Sequence, residues 1–409
     1  MKSKKCLLIL GGGVDQIPGI QKAKEMGLYT IVLDGNVKAP AQFYSDEFYQ
    51  VSIKHFQEIE QFIKNKLKKK IDGVIAFGVD IPLIIAQTAD LLEVNYTVPM
   101  KSALLSEDKF LSKNFMKKNN IAIPPYKIVN NISEIKDFIQ LYGFPIVIKP
   151  VDNSASRGIS FIKDSQKLEK YFQYALEFSA LKKVQIEKYL DGKQVSTESF
   201  IVNKDVYNIG YLDRNYDDSD RFAPNIIENG GDMPSIVMSE KHKNQLTNYL
   251  KIIAQELNIE NGIIKGDIVI YNDNLYIIEF ALRLSGGNFS TICIPHSTGI
   301  DFIKISILLH LNQVVNPKEL EIINDKYISM RYKFTEDIHE KGKIKELLSP
   351  IKEKEIILSN FHISVGDVVV LKTTNHAERL GFAIAKGETR EESINNAQKY
   401  LDRVEIVCE

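Results

Sequence analysis

Residues 265–287 read KGDIVIYNDNLYIIEFALRLSGG. Apolar, β-branched and aromatic residues flank Asn-Asp-Asn, which predicts a hairpin with strands at 267–271 and 275–279. A loop over 272–274 would pair Tyr271 with Leu275 and, counting outward, set Asp267 opposite Glu279. Two facing carboxylates repel unless positive charge sits between them. A hard divalent cation answers that need, because Mg²⁺ commonly takes one or two carboxylates plus phosphate oxygens. Past Glu279, Arg283 offers a planar fork for phosphate or carboxylate oxygens, and Ser285-Gly286-Gly287 allows close backbone approach to a ligand. The same residues would also suit an exposed hairpin with two solvated acids, so this stretch alone leaves both readings open.

Outward from the hairpin, composition sets bounds. A chain of 409 residues with 44% hydrophobic content predicts two or three globular domains. The net charge of −1, with lysines interleaved among acids, gives no electrostatic case for nucleic acid or an anionic membrane as a partner. Cys6, Cys293 and Cys408 lie far apart with no CxxC, which reads as reduced thiols in a cytoplasmic protein. No apolar run reaches the length of a membrane span, and the start, MKSKKCLLIL, runs into Gly11-Gly12-Gly13 without a cleavage pattern. The seven histidines show no HxH or HExxH spacing and are expected to be structural or solvent-facing.

The chain opens with a short buried strand, 6–10, the three glycines, a helix over 17–26, a strand at 29–33 and Asp34. A helix over 56–68, a strand at 73–77 ending in Gly78-Val79-Asp80, and a helix over 82–92 continue the alternation. This predicts an open parallel sheet, a domain over 1–100, and a ligand edge at Gly11–Gly13, Asp34 and Gly78–Asp80. The run GGGVDQ lacks the last glycine of a dinucleotide fingerprint, so a nicotinamide site is weakly supported.

Residues 102–120 read as one helix carrying Lys109. After a further helix over 132–142, FPIVIKPVDNSASRGISFI predicts a strand at 145–149, a polar loop at 152–158 and a return strand at 159–162. A loop holding Asn153, Ser154, Ser156, Arg157 and Gly158 supplies N–H groups, hydroxyls and a guanidinium, which suits a polyphosphate. Lys149 at its root needs an anionic partner. VQIE at 184–187 leads into Lys188-Tyr189-Leu190, followed by strands at 195–203 and 206–212. Residues 213–234 are long and polar and read as a mobile loop over a site. Residues 325–409 predict a third unit, with strands at 327–334, 356–358, 368–373 and 382–386 and a helix over 389–404 capped by Thr389, and no evident chemistry.

Three pieces in this order, FPIVIKPVDNSASRG, VQIEKYLDGKQ and GDIVIYNDNLYIIEFALRLSGG, resemble the ATP-grasp superfamily. The N-terminal GGGVDQIPGIQKAKEMGLYTIVLDGN is similar to the domain preceding ATP-grasp in such proteins. The C-terminal part resembles the last domain of L-amino acid ligases, phosphoribosylaminoimidazole carboxylases and biotin carboxylases. The resemblance implies an α/β chain: an open parallel-sheet domain (1–100), a two-lobed α+β ATP-grasp domain (101–315) and a small α+β domain (325–409). It implies ATP with Mg²⁺, or Mn²⁺ in its place. Lys109 and Lys149 then contact phosphates, and residues 153–158 form the flap. Glu187, Lys188, Tyr189 and Leu190 form the adenine hinge, and Gln194 faces the ribose, where many members have glutamate. Asp267 and Glu279 ligate metal, and Arg283 contacts the transferring phosphate. Ala281 stands where many members carry an asparagine ligand.

The implied function is a carboxylate–amine ligase acting through an acylphosphate on a small amino-acid-like substrate. Its partners are small-molecule carboxylates and amines, and a homodimer is the family-level expectation. An ATP-dependent carboxylase acting through carboxyphosphate, a non-catalytic nucleotide-binding protein and a nicotinamide oxidoreductase are the competing readings. Substrate contacts are expected from the first domain's edge, the 213–234 segment and residues 283–288.

Overall fold

The computed structural model describes residues 4–153 and 155–409. The hairpin is present, with a tighter turn than the sequence predicts. Strands Gly262–Tyr271 and Asn274–Ala281 are joined by Asn272 and Asp273 alone, both left-handed at φ 48° and 56°. Two-residue turns of this kind match the twist of paired strands, and Asn and Asp tolerate positive φ. Tyr271 therefore pairs with Asn274, one residue out of the expected register. A bulge then absorbs Ile278: Ile268 faces Ile277, and the next pair is Asp267 with Glu279. Because side chains alternate faces along a strand, this extra residue is what brings the two carboxylates onto one face.

The hairpin forms one edge of an eight-stranded antiparallel sheet. From that edge the order runs through Lys193–Val202, Asp205–Arg214, Gly231–Met233, Tyr327–Lys333, Gly381–Gly387 and Ile356–Phe361. Ile264, Ile268, Leu275 and Ile277 pack against Leu246, Leu250 and Ile253 of helix Glu240–Glu256. Lys265 and Asp267, of opposite parity, face away from that helix.

A second sheet, Tyr126–Val129, Val184–Lys188, Ile146–Pro150 and Ser160–Ile162, forms the facing lobe. The N-terminal sheet is parallel, ordered Glu47–Gln50, Tyr29–Asp34, Cys6–Leu10, Gly73–Ile75. Its glycine turn is closed by the chain itself. Gly12 N–H donates to Asp34 at 2.7 Å, and a Cβ on Gly12 would stand 2.8 Å from the Ala41 Cβ. Ala41 thus crowds the turn in which a dinucleotide fold keeps its pyrophosphate.

Three expectations are corrected. Residues 102–120 form two helices, Met100–Glu107 and Lys109–Lys118, separated by extended Asp108. The Asp108 carboxylate accepts from the N–H groups of Phe110 and Leu111 at 2.8 and 2.9 Å, so an N-cap interrupts what helical periodicity alone would continue. Residues 213–234 are packed: Phe222 and Ile227 are core residues, and Gly231–Met233 is a sheet strand. The polar residues there are partnered across the sheet, Asp232 with Arg331 at 2.8 Å and Asn229 with the Tyr332 N–H at 2.9 Å. Composition marked them as solvated because their partners lie about a hundred residues away.

Residues 368–373 hold only an isolated bridge, Lys343 to Val368, whereas Ile344–Leu348 pairs with Glu405–Cys408. Thr389 caps helix Arg390–Asp402 as expected, accepting from Glu392 N–H at 3.1 Å. No described helix is long and apolar enough to cross a membrane.

Asp108→Ala is expected to lower stability by about 1 kcal/mol through loss of the cap. The measurement is a urea midpoint; a variant as stable as wild type would show that the interruption at 108 does not depend on this side chain.

Candidate active site

The lobe sheet and the hairpin face each other across a cavity of about 250 Å³, whose walls include Lys109, Lys149, Glu187, Asp267, Glu279 and Arg283. Each reaches it from a defined place. Lys149 ends the apolar strand Ile146–Pro150, and Glu187 lies on the adjacent strand Val184–Lys188. Lys109 is the first residue after the Asp108 cap, so the break in the helix is what aims it inward. Lys188, Tyr189, Leu190, Gln194 and Ser156 also line the cavity. Arg157 and Gly158 are not among its walls. Gly158, at φ 75°, turns the flap where a Cβ would fall 2.6 Å from the Phe178 Cβ. Ser154 lies outside the described residues.

Charges here are interlocked. The Glu187 carboxylate is shared by Lys149 at 2.5 Å and Lys113 at 3.4 Å. Burial works to raise the Glu187 pKa, but Lys113 and Lys149 outweigh it and hold it down to about 2. Lys113, one helical turn past Lys109 and buried, is pushed down to about 8 by burial. Two lysines on one carboxylate leave this wall with surplus positive charge, which suits a polyphosphate.

Lys109 pairs with Glu279 at 3.1 Å, while Asp267 is held by Lys265, Arg214 and the Ser196 hydroxyl. Burial opposes ionisation of Asp267, yet Lys265 and Arg214 keep it well below the usual carboxylate range. Arg283 Nε donates to Asp80 of the first domain at 2.7 Å.

Among the described residues no group of three or more His, Cys, Asp or Glu side chains is arranged to hold a metal. A metal here would rely on the two facing carboxylates and on ligand oxygens, a donor set that Mg²⁺ accepts. Ala281, two residues beyond Glu279 and buried, adds no donor.

A second cavity of about 520 Å³ adjoins the first and shares Arg214, Lys265, Asp267, Arg283 and His376 with it. Asp15, Glu228 and residues 285–289 also line it. The C-terminal residues Tyr332, His362, His376 and Arg379 were missed. Arg379 lies 3.8 Å over the Tyr332 ring and donates to the Glu228 carbonyl at 2.5 Å. His376 N–H donates to the Ala155 carbonyl at 3.0 Å, and its Nε2 lies 3.2 Å from the Ser156 hydroxyl, tying the flap to the C-terminal unit. Burial, then Arg379 and Arg214, push the His376 pKa well below the usual imidazole range, so the ring is neutral. The polar run TTNHAER just before an apolar strand was the available signal, but no motif spacing marks it.

Residues 107–287 match the family model of the phosphoribosylglycinamide synthetase ATP-grasp (A) domain. The central part of the chain is thus similar to an ATP-grasp domain. The carbamoyl phosphate synthase large chain of Archaeoglobus fulgidus is 24% identical over 325 residues, 76% of this chain and 29% of that protein. The chain thus spans less than a third of the length of the curated relatives it matches first. In fold, the L-amino acid ligase of Bacillus licheniformis superposes with a TM-score of 0.81 over 100% of both chains at 16% identity. The biotin carboxylase domain of 2-oxoglutarate carboxylase from Hydrogenobacter thermophilus superposes with a TM-score of 0.76 over 100% of this chain and 91% of that one, at 16% identity. That structure is a dimer complexed with MgADP, ADP and bicarbonate.

Beneath this site Glu198 is fully buried, and its Oε1 accepts from Ser285 N–H at 2.6 Å. Burial raises its pKa from 4.5 to about 7. The folded state therefore holds a proton that the unfolded chain releases, and stability is lost as pH rises from the unfolded value through about 7. Glu198→Gln cannot ionise, so the variant should gain on the order of 2–3 kcal/mol over wild type between pH 5 and pH 8. Urea midpoints at the two pH values read this; an unchanged difference would mean that Glu198 does not carry the proton.

Proposed function

We propose that the chain is an ADP-forming ligase that joins a small carboxylate, amino-acid-like in character, to an amine through an acylphosphate. The observation supporting this most directly is the convergence of Lys109, Lys149 and Arg283 with the facing Asp267 and Glu279 on one cavity that opens into a second, substrate-sized one. Lys149 and Lys109 take the phosphates of ATP, and residues 187–190 with Gln194 take the nucleoside. Asp267 and Glu279 would hold Mg²⁺, which when bound neutralises phosphate charge. Arg283, oriented by Asp80, steadies the γ-phosphoryl group while a carboxylate oxygen attacks phosphorus and ADP leaves. The amine then attacks the acyl carbon, phosphate leaves, and the amine gives up a proton. The flap at 153–158, tied to His376, and the packed 213–234 segment keep water from the acylphosphate.

The chain is assigned to the cytoplasm; Cys6, Cys293 and Cys408 are buried free thiols, which fits a reducing compartment. A homodimer and the division into 1–100, 101–315 and 325–409 complete the proposal.

With Mg-ATP and a panel of L-amino acids, the protein should release ADP and phosphate, with the amide identified by mass spectrometry. Glu279→Gln and Lys149→Met should each cut kcat at least about a hundredfold. ADP release that needs bicarbonate and no amine would replace the ligase reading with the carboxylase one. Nucleotide binding without turnover under any of these conditions would leave a non-catalytic protein.

A further inference from the structure

We infer that Asp15 is the counter-ion for an ammonium group on the carboxylate substrate, so that the first domain selects an amino acid over a simple acid. This rests on the ligase reading above and adds the residue that sets its specificity.

The 520 Å³ cavity carries charges of both signs. Arg214, Lys265 and Arg283 lie in the part shared with the nucleotide cavity, and Asp15, Glu228 and Arg379 belong to the part that is not shared. Of the acids on its walls, Glu228 is bound by Arg214 and reached by Arg379 at 4.0 Å, and Asp267 by Lys265. Asp15 has no ion-pair partner within 4.0 Å among the described residues. It sits on the short turn Val14–Gln16 that follows the glycine run, with Asn288 and His362 nearby. Burial raises its pKa, the mark of a carboxylate held away from water without a matching charge.

Arg379 also lines this space, but its guanidinium is engaged by the Glu228 carbonyl and carboxylate. Asp15 is thus the acid on this wall left without a cation of its own among the described residues. A carboxylate substrate aligned for phosphoryl transfer turns its anionic end to Arg283, and its remaining length points toward Asp15. Phe289, Tyr332 and Phe382 flank that path, and their apolar surface suits a side chain and their ring faces a cation. A second anionic group at that end would meet the unpaired Asp15 carboxylate and be repelled.

The test follows ADP release with Mg-ATP and hydroxylamine as the acceptor, so that only the carboxylate donor varies. L-Alanine and L-phenylalanine are compared with propionate and 3-phenylpropionate, on wild type, Asp15→Asn and Asp15→Glu. Wild type should prefer the amino acids. Asp15→Asn keeps size and should raise KM for the amino acids about tenfold to a hundredfold. KM for ATP and for the des-amino acids, and kcat at saturation, should hold. Asp15→Glu, which keeps the charge, should recover part of the lost affinity. A wild type that favours the des-amino acids, or an Asp15→Asn that shifts both sets equally or neither, overturns the proposal. ADP release by wild type with neither set overturns the ligase reading itself, an outcome distinct from those two because it appears before any variant is made.

Discussion

Two carboxylates cannot face each other in a protein wall unless cations surround them, and this constraint organises the molecule. Asp267 and Glu279 meet across the hairpin only because a bulge at Ile278 corrects the register set by a two-residue turn. Their mutual repulsion is then offset from three directions. Lys265 comes from the same strand, Arg214 from the end of Asp205–Arg214, and Lys109 from a helix that starts where Asp108 caps it. Each element is held by its own local physics, and the shared electrostatics explain why they converge. Such an array of alternating charge suits a polyphosphate with a divalent ion.

The same logic extends outward in two shells of contact. On the facing lobe, Glu187 binds two lysines at once and orients Lys149. Beside it, the first domain closes on the arginine end of the hairpin. Asp80 receives Arg283, and Gly78 comes so near that a Cβ there would stand 3.0 Å from the Gly286 Cα. Only glycine, at φ 71°, permits that seam. Glu198 holds the Ser285 turn from below. The C-terminal unit reaches the site from the far side through His376 and Arg379, and strand Tyr327–Lys333 continues the sheet that carries the hairpin. The 520 Å³ cavity is therefore bounded by N-terminal, central and C-terminal residues of the chain.

Much of this was legible without coordinates. Lys149, Glu187, Asp267, Glu279 and Arg283 stand on short apolar strands or just past them, where a charge interrupts a run of Ile, Val and Leu. That pattern shows which side chains leave the core. Gly78-Val79-Asp80 was legible as a ligand edge because parallel strands end toward their ligands. Residues 213–234 were misread as mobile because composition cannot distinguish a polar residue in water from one paired with Arg331 or Tyr332. Arg379 and His376 were missed because they lie in a loop, where no periodicity reports direction.

By itself the sequence determined the hairpin, the parallel N-terminal sheet and the placing of charged residues at the ends of apolar strands, since each depends on residues close together in the chain. Only the tertiary structure decided that Glu187 anchors Lys149, that Asp15 and Arg379 share one cavity, and that Phe222, Ile227 and Met233 are core. Those facts depend on which distant groups meet in a low-dielectric space, and a buried charge acquires its role from the partner opposite it, whose identity local spacing does not carry.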